Sequence, residues 1–225
     1  MSLITVNWDN VKSVMFNEGK LKQLALNEDT LWELPYVYRT ILDRSISGAY
    51  VNDSVESVGD YAFAYCSKLT SVDFPLVTSI GTYAFNGCSA LTSVNFPLVT
   101  SIGTYAFYNC KVLTTVNFPL VTSIGNSAFW GCSALTAADF PLVTSIGNSA
   151  FYNCSALTAL ILRSEIMATL SGTNAFTSTP IASGTGYIYV PSALMDNYKS
   201  ATNWSTYANQ IRAIEDYPDV SGGEE

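Results

Sequence analysis

The chain has 225 residues, no histidine, and 18 acidic against 10 basic residues, so its formal net charge is −8. The basic residues form no cluster, which argues against binding to nucleic acid or to an anionic membrane surface. No apolar run approaches the roughly 20 residues of a membrane-spanning helix, so we predict no membrane insertion. Without histidine the chain lacks the commonest general base and the commonest metal ligand, which favours a noncatalytic protein.

The N-terminal residues, 1–36, predict a small β module. They read as three short strands joined by tight turns of Asn, Glu, Gly and Asp. Apolar residues alternate along these strands at Val14, Phe16, Leu24 and Leu26, as expected where one face is buried. Residues 37–50 then predict a short helix or linker that leads into the repeat region.

The central part of the chain, 51–191, is an internal repeat with a period of 22 residues. The common pattern is L-x-x-V-x-F-P-L-V-T-S-I-G-x-x-A-F-x-x-C-x-x, and 13 of its 22 positions are identical in four consecutive blocks. These blocks begin at Leu69, Leu91, Leu113 and Leu135. A single block cannot bury enough apolar surface to offset the entropy cost of ordering it. Stacked blocks complete one another's hydrogen bonds and apolar contacts, so we predict a solenoid.

Each block begins with a predicted strand, such as 91–96. Val94 and Phe96 are two residues apart and share the face that points to the core, while the residues between them point outward. Pro97 cannot donate to a β-ladder and is expected to end the strand.

The rest of the block predicts a second extended piece and a turn. In the segment 99–103, Val99 and Ile102 are expected to point inward, and Gly103 is expected to permit the turn that follows. The segment 104–110 predicts a single helical or 3₁₀ turn. Its core-facing residues are expected to be Ala106, Phe107 and Cys110.

The order of these elements resembles the BspA-like leucine-rich repeats of bacterial surface proteins and of some parasitic protists. In that family an L-x-x-[IV]-x-[LF]-P strand is followed by an A-F-x-x-C turn, and the likeness covers about Val51 to Leu160. It implies a β-rich, α/β-type leucine-rich repeat solenoid with a parallel sheet on its concave side and short helical turns. It also implies an extracellular or cell-surface protein that binds proteins of a host or a neighbouring cell.

The C-terminal residues, 192–225, predict a helical cap followed by a solvated tail. The repeat is stretched just before them, since Phe176 comes three residues later than the period requires. The segment 186–191 repeats the strand pattern, and Ser192 is a suitable N-cap for a helix after it. A further helical turn is expected to be anchored by Trp204 and Tyr207. Such a cap gives the open end of a solenoid a polar outer face.

All five cysteines occupy the same position of the repeat: Cys66, Cys88, Cys110, Cys132 and Cys154. A 22-residue step lacks the close ligand spacing of zinc sites, so neither a metal nor another cofactor is predicted. The spacing of roughly 4.8 Å between coils does not exclude disulfides. Parallel side chains and an odd count instead favour buried, inert thiols that act as small core residues.

The positions that change between blocks are the candidate ligand contacts. Outward strand positions form small polar columns, which suit a solvated sheet face or a face that binds a peptide, a glycan or a cation. The candidates on this face are Ser93, Asn95, Thr115, Asn117 and Asp139. Aromatic residues at non-core positions offer contact area at low entropy cost, and they also suit packing over neighbouring coils. These candidates are Tyr83, Tyr105, Tyr108, Trp130 and Tyr152.

These features together predict a noncatalytic solenoid that binds a protein or a glycan of a host or neighbouring cell and takes part in adhesion at a cell surface. The alternative is a structural component of a prophage tail or a similar assembly. Residues 1–36 resemble short β modules that precede such repeats in gut-bacterial and prophage tail-type proteins. In that case the N-terminal module would dock the solenoid into the assembly.

Overall fold

The structure is a computed structural model that describes residues 44–52 and 55–221. The predicted N-terminal β module, 1–36, lies outside the described residues, as do the first half of the predicted linker, 37–43, and the end of the predicted tail. The first strand begins at Ser47, within the segment predicted as a helix or linker.

Parallel strands stack into two ladders along the described part of the chain. The first ladder contains β1 (Ser47–Val51), β2 (Lys68–Asp73), β4 (Ser93–Asn95), β6 (Thr115–Asn117), β8 (Ala137–Asp139), β10 (Ala159–Ile161), β12 (Tyr187–Val190) and β13 (Ile211–Ala213). The second contains β3 (Ser79–Ile80), β5 (Ser101–Ile102), β7 (Ser123–Ile124), β9 (Ser145–Ile146) and β11 (Thr169–Leu170). In the central coils, strand partners are the same position of successive blocks, as for Ser93 and Thr115. The predicted solenoid is therefore confirmed.

The alternation predicted within the strand of a repeat block is confirmed in β4. Val94 is buried, whereas Ser93 and Asn95 on either side of it are exposed. The strand ends before Phe96 and Pro97, and Phe96 is fully buried. Each coil therefore presents its polar strand residues on the outer face of the first ladder.

Columns of stacked phenylalanine rings form the centre of the core. Phe85 and Phe107 lie 5.2 Å apart between ring centroids, with ring planes only 2° from parallel. The same stacking continues to Phe63 on one side and through Phe129 and Phe151 on the other, at 5.1 to 5.4 Å. Rings stack face to face because identical residues recur at the spacing of the coils. Packing between neighbouring coils thus supplies the core that one block lacks.

The segment predicted as a helical or 3₁₀ turn is a run of hydrogen-bonded turns without a regular helix. The Ala106 and Tyr108 N–H groups donate to carbonyl oxygens three residues earlier, at 3.3 and 3.2 Å. The Phe107 N–H between them donates to the next coil, to the Ala128 carbonyl at 2.7 Å. Tyr105 also has a left-handed φ of 55°. A helix cannot continue here, because alternate donors serve the neighbouring coil.

The repeat glycine has a different role from the predicted one. Gly103 is not among the residues with positive φ, so the turn does not depend on its conformational freedom. A Cβ at this position would lie 2.5 Å from the Gly81 carbonyl carbon and 2.8 Å from the Thr82 nitrogen. Glycine recurs in this column because the backbones of successive coils approach too closely for a side chain.

The first ladder is divided into two four-stranded sheets, β1-β2-β4-β6 and β8-β10-β12-β13. Val116 in β6 is partly exposed, although the equivalent Val94 is buried. The next coil carries Ala138 at this position instead of valine. Because alanine fills less volume, Val116 has less side chain to pack against where the ladder is interrupted.

The C-terminal cap consists of short helices. They are α1 (Pro180–Ser183), a 3₁₀ helix (Ser192–Leu194), α2 (Met195–Ser200), a second and a third 3₁₀ helix (Trp204–Gln210 and Ile214–Asp216) and α3 (Pro218–Ser221). Trp204 and Tyr207, the predicted anchors, are both buried. The prediction of Ser192 as an N-cap is wrong. The chain turns directly from Pro191 into the 3₁₀ helix, and the Ser192 N–H donates to the Glu215 carboxylate at 3.0 Å.

Side chains of the cap satisfy backbone groups at the edge of the last coil. The Trp204 Nε1–H donates to the Ala168 carbonyl at 2.7 Å, and the Ala168 N–H donates to the Tyr198 hydroxyl at 2.8 Å. The Asn203 amide donates to the Leu170 carbonyl at 2.7 Å. These bonds replace those that a further coil would make, which is what a cap must do.

Candidate interaction surface

The outward face of the first ladder carries the predicted polar columns. Ser93, Asn95, Thr115 and Asn117 are all exposed on strands β4 and β6. Asn95 Nδ2 donates to the Asp73 carboxylate of the preceding coil at 2.9 Å. The result is a row of short polar side chains, spaced at coil intervals, that suits hydrogen bonding to a partner lying along the sheet.

Asp139, the remaining candidate on this face, is engaged in an ion pair. Arg163 Nη2 and Nε lie 2.8 and 3.0 Å from its Oδ2 atom. Both side chains are partly exposed, so the pair contributes about 0–1 kcal/mol to stability. A cationic ligand group would have to displace Arg163, which makes Asp139 less available than the neutral residues beside it.

A small apolar cluster closes the C-terminal end of the same face. Its buried residues are Ile161, Tyr189 and Ile214, and those packed against them are Ala159, Tyr187 and Tyr217. The Arg212 guanidinium lies over the Tyr187 ring, 4.5 Å from its centroid. The open, polar part of the face therefore runs from β2 to β8 and ends where the cap folds over β10 and β12.

The aromatic candidates form one continuous stack, which we call the aromatic stripe. It consists of six partly buried rings: Tyr61, Tyr83, Tyr105, Tyr108, Trp130 and Tyr152. Successive ring centroids are 4.9, 4.7, 5.5, 6.0 and 4.0 Å apart. The stripe extends over five coils, so it is the longest run of contacting aromatic side chains at the surface of the described residues.

A change in the repeat builds this stripe from two columns. In the first three coils, the ring belongs to the second residue after the repeat glycine, as at Tyr105. In the next two coils Ser127 and Ser149 fill that position and are buried, and the ring moves three residues along the coil. The third coil carries rings at both positions, and Tyr105 meets Tyr108 edge to face at 70°.

The stripe is an uncharged surface. Burial, and then the neighbouring phenols, raise the pKa of Tyr83 above its ordinary value, so its hydroxyl stays protonated at neutral pH. Stacking covers both faces of Tyr83 and one face each of four other rings, so ring edges and tyrosine hydroxyls remain for contact with a partner. Among the described residues, no hydrogen bond or ring contact joins the stripe to the polar columns at Ser93, Asn95, Thr115 and Asn117, so the two are separate candidate surfaces.

Two exposed threonine columns also connect the coils, and we did not predict them. Thr92 Oγ1 donates to the Thr70 carbonyl at 2.9 Å, and Thr100 Oγ1 donates to the Thr78 carbonyl at 3.2 Å. The signal was present in the sequence, because threonine recurs at both positions in all four blocks although the side chains are exposed. Both positions keep threonine because its hydroxyl bonds to a carbonyl of the preceding coil.

The five cysteines, all within the described residues, are buried and form no disulfide, which confirms the prediction of core thiols. Cys110 Sγ–H donates to the Phe85 carbonyl of the preceding coil, with 3.2 Å between sulfur and oxygen. Burial raises the pKa of the Cys154 thiol to about 12 and that of the Cys132 thiol well above its ordinary value. These thiols are poor nucleophiles and serve the stacking of the coils.

In residues 44–52 and 55–221, no cluster of three or more cysteine, aspartate or glutamate side chains is arranged to hold a metal ion. Over the same residues, no helix is both long and apolar enough to cross a membrane.

The comparisons with known proteins agree with this architecture. A leucine rich cell surface protein from Faecalibacterium prausnitzii A2-165 is 27% identical, with a TM-score of 0.50, and the match covers 64% of this chain and 48% of that chain. A leucine-rich repeat protein from Bacteroides ovatus ATCC 8483 is 24% identical, with a TM-score of 0.58, covering 75% and 42%. The chain thus spans about half the length of these two solved proteins. No curated protein sequence gives a match.

The family model for the BspA type leucine rich repeat region matches the chain with six copies, over residues 38–158 and 78–194. The matched residues make up well over half of the chain and take in every strand from β1 to β12. The chain therefore belongs to the BspA type leucine-rich repeat family.

Proposed function

We propose that this protein is a noncatalytic recognition protein that binds a partner at a cell surface through the aromatic stripe. The observation that carries the proposal is the continuity of the stripe, in which six partly buried rings contact one another across five coils. Aromatic side chains held on a rigid scaffold offer a large contact area, and little entropy is lost when they bind.

The stacking of the rings favours a protein over a glycan as the partner. A sugar ring packs against an open aromatic face, but neighbours only 4.0 to 4.9 Å away cover the faces of Tyr83 and one face each of Trp130 and Tyr152. The exposed edges and hydroxyls suit peptide groups and apolar side chains. The polar columns at Ser93 and Asn95 would add hydrogen bonds to a partner large enough to reach both surfaces.

The proposed location outside the cell rests on family likeness. The Faecalibacterium prausnitzii protein, which is 27% identical, is described as a cell surface protein. Adhesion is the role that we propose for binding at such a place.

The test is a binding screen with the full chain against a panel of soluble extracellular matrix proteins and a glycan array. We expect a matrix protein to bind, and we expect Trp130→Ala with Tyr152→Ala to weaken that binding by about tenfold or more. The matched control is Ile166→Ala, because Ile166 is exposed and lies off the stripe. Binding that is equal in all three proteins would contradict the proposal and would leave a structural part of an assembly as the better interpretation.

A further inference from the structure

Four leucines on the surface form an apolar row that neither the core nor the aromatic stripe uses. Each follows the proline at the end of a first-ladder strand, so they succeed one another at the coil spacing of roughly 4.8 Å. Their exposed fractions are 44%, 40%, 38% and 45% for Leu76, Leu98, Leu120 and Leu142. We call these four side chains the leucine ridge. Single exposed leucines are ordinary, but a row of four is a contiguous apolar patch.

The packing of the coil does not require leucine at these positions. Phe96 and Val99, on either side of Pro97 and Leu98, are fully buried and complete the core there. The next residue, Thr100, is exposed and bonds to the preceding coil through its hydroxyl. A polar side chain at position 98 would be accommodated by the fold, so the leucine adds an apolar surface that water contacts in the isolated chain.

The ridge lies in a part of the chain that is almost without charge. Of the 28 acidic and basic residues, 26 fall outside residues 74–142, and the two exceptions are Lys111 on the turn segment and Asp139, which is paired with Arg163. On its sheet side the ridge borders the column of Asp73, Asn95, Asn117 and Asp139, which is neutral in the two middle coils, and on the other side it borders the neutral Thr100 column. In the two middle coils, a partner at the ridge is therefore not selected by charge.

We propose that a second copy of this chain packs along the leucine ridge, with the leucines of the two copies interleaved. A second copy has the same coil spacing, so its leucines can meet those of the first at four successive steps. The net charge of −8 opposes association of two copies in general. Asp73 and Asp139 lie in the end coils of the ridge, and Asp139 is paired with Arg163, so the middle of the contact, at Leu98 and Leu120, is free of like charges.

The size of the ridge sets the strength of this dimer. Four leucines that are each about two-fifths exposed offer less area than the roughly 800 Å² per partner of a stable interface. We therefore expect a weak, reversible dimer that forms at high protein concentration. Added salt screens the repulsion between two acidic chains, so raising the ionic strength from about 20 to about 150 mM should strengthen the dimer.

Sedimentation velocity of the full chain over a concentration series tests the proposal. The ridge variant carries Leu98→Lys with Leu120→Lys, and the control carries Ile166→Lys at a residue 67% exposed and off the ridge. We expect the weight-average sedimentation coefficient to rise with concentration for the wild type and the control, and to stay constant for the ridge variant. A wild type that stays monomeric, or a control that loses association equally, overturns the proposal.

A cross-linking measurement keeps the test independent of the folding of the lysine variant. The five native thiols are buried, so a cysteine introduced by Leu98→Cys is the reactive thiol of the chain. With a short bismaleimide, we expect Leu98→Cys to give covalent dimer about tenfold faster than Ile166→Cys. Equal rates for the two variants contradict packing along the ridge.

Discussion

At the scale of single residues, the repeated side chains act by meeting the preceding coil. The Cys110 thiol bonds to the Phe85 carbonyl, and the Thr100 hydroxyl bonds to the Thr78 carbonyl. Burial of the cysteines could be predicted, because a small apolar residue recurs in register with the core phenylalanines. The left-handed φ of Tyr105 could not, because tyrosine rarely adopts it, and here the Tyr105 N–H donates to the Asn126 carbonyl of the next coil.

The buried thiols predict that the free energy of unfolding falls as the pH rises above 9. Burial raises the folded-state pKa of Cys154 from its ordinary value of 9.0 to about 12. A raised pKa contributes stability that is fully present below pH 9 and is lost as the pH rises from 9 towards 12. The loss is up to about 1.4 kcal/mol per pH unit for each thiol. Urea unfolding at pH 8, 9 and 10 measures this dependence, and Cys154→Ala should make it shallower. If the free energy of unfolding of Cys154→Ala falls with pH as steeply as that of the wild type, the buried thiols are not the cause of the pH dependence.

The close approach of the coils predicts that Gly125→Ala destabilises the protein. The new Cβ would lie 2.6 Å from the Thr104 nitrogen and 2.7 Å from the Gly103 carbonyl carbon. Such overpacking costs about 1–3 kcal/mol. Denaturant unfolding should show this loss for Gly125→Ala and little change for Ser123→Ala, an exposed control in the same coil. Equal stability of the two variants would mean that the coils separate more easily than the structure indicates.

At the scale of elements, the 22-residue period predicted which residues pair in each ladder, because stacking brings identical positions together. It did not predict the hydrogen bonds of the turn segment. There the backbone N–H groups from Tyr105 to Tyr108 donate alternately to the next coil and to their own coil. Ser192 failed as an N-cap because Pro191 leads straight into a 3₁₀ helix. The period also does not predict the apolar cluster in which cap residues pack over β10 and β12, because Ile214 and Tyr217 belong to no repeat.

The cap predicts a local loss of stability in Trp204→Ala. This change removes the bond to the Ala168 carbonyl and a buried ring that contacts Phe176 and Tyr198. We expect a loss of about 3–5 kcal/mol, with amide exchange rising first at the edge strand β11. Hydrogen exchange measured by mass spectrometry tests this. Tyr207→Phe, which removes only the hydroxyl bond to Thr173, should cost far less. Exchange that rises equally in all coils would contradict the capping role.

At the scale of the whole molecule, the solenoid offers surfaces of different chemistry on one scaffold. The polar columns, the aromatic stripe and the leucine ridge all repeat with the coils, and the charges lie mostly before and after the central coils. The sequence predicted the scaffold and both sets of candidate residues. It did not predict that two aromatic columns join into one stripe, because that contact depends on the orientation of Tyr105 and Tyr108 within a single coil.

The measurement that tests the central claim most directly compares the stripe and ridge variants in one binding titration. The immobilised ligand is the matrix protein found in the screen, and both variants and the wild type are measured by biolayer interferometry. Trp130→Ala with Tyr152→Ala should bind about tenfold or more weakly and still self-associate, whereas Leu98→Lys with Leu120→Lys should bind like the wild type. Wild-type affinity in the stripe variant would show that recognition does not depend on the aromatic stripe.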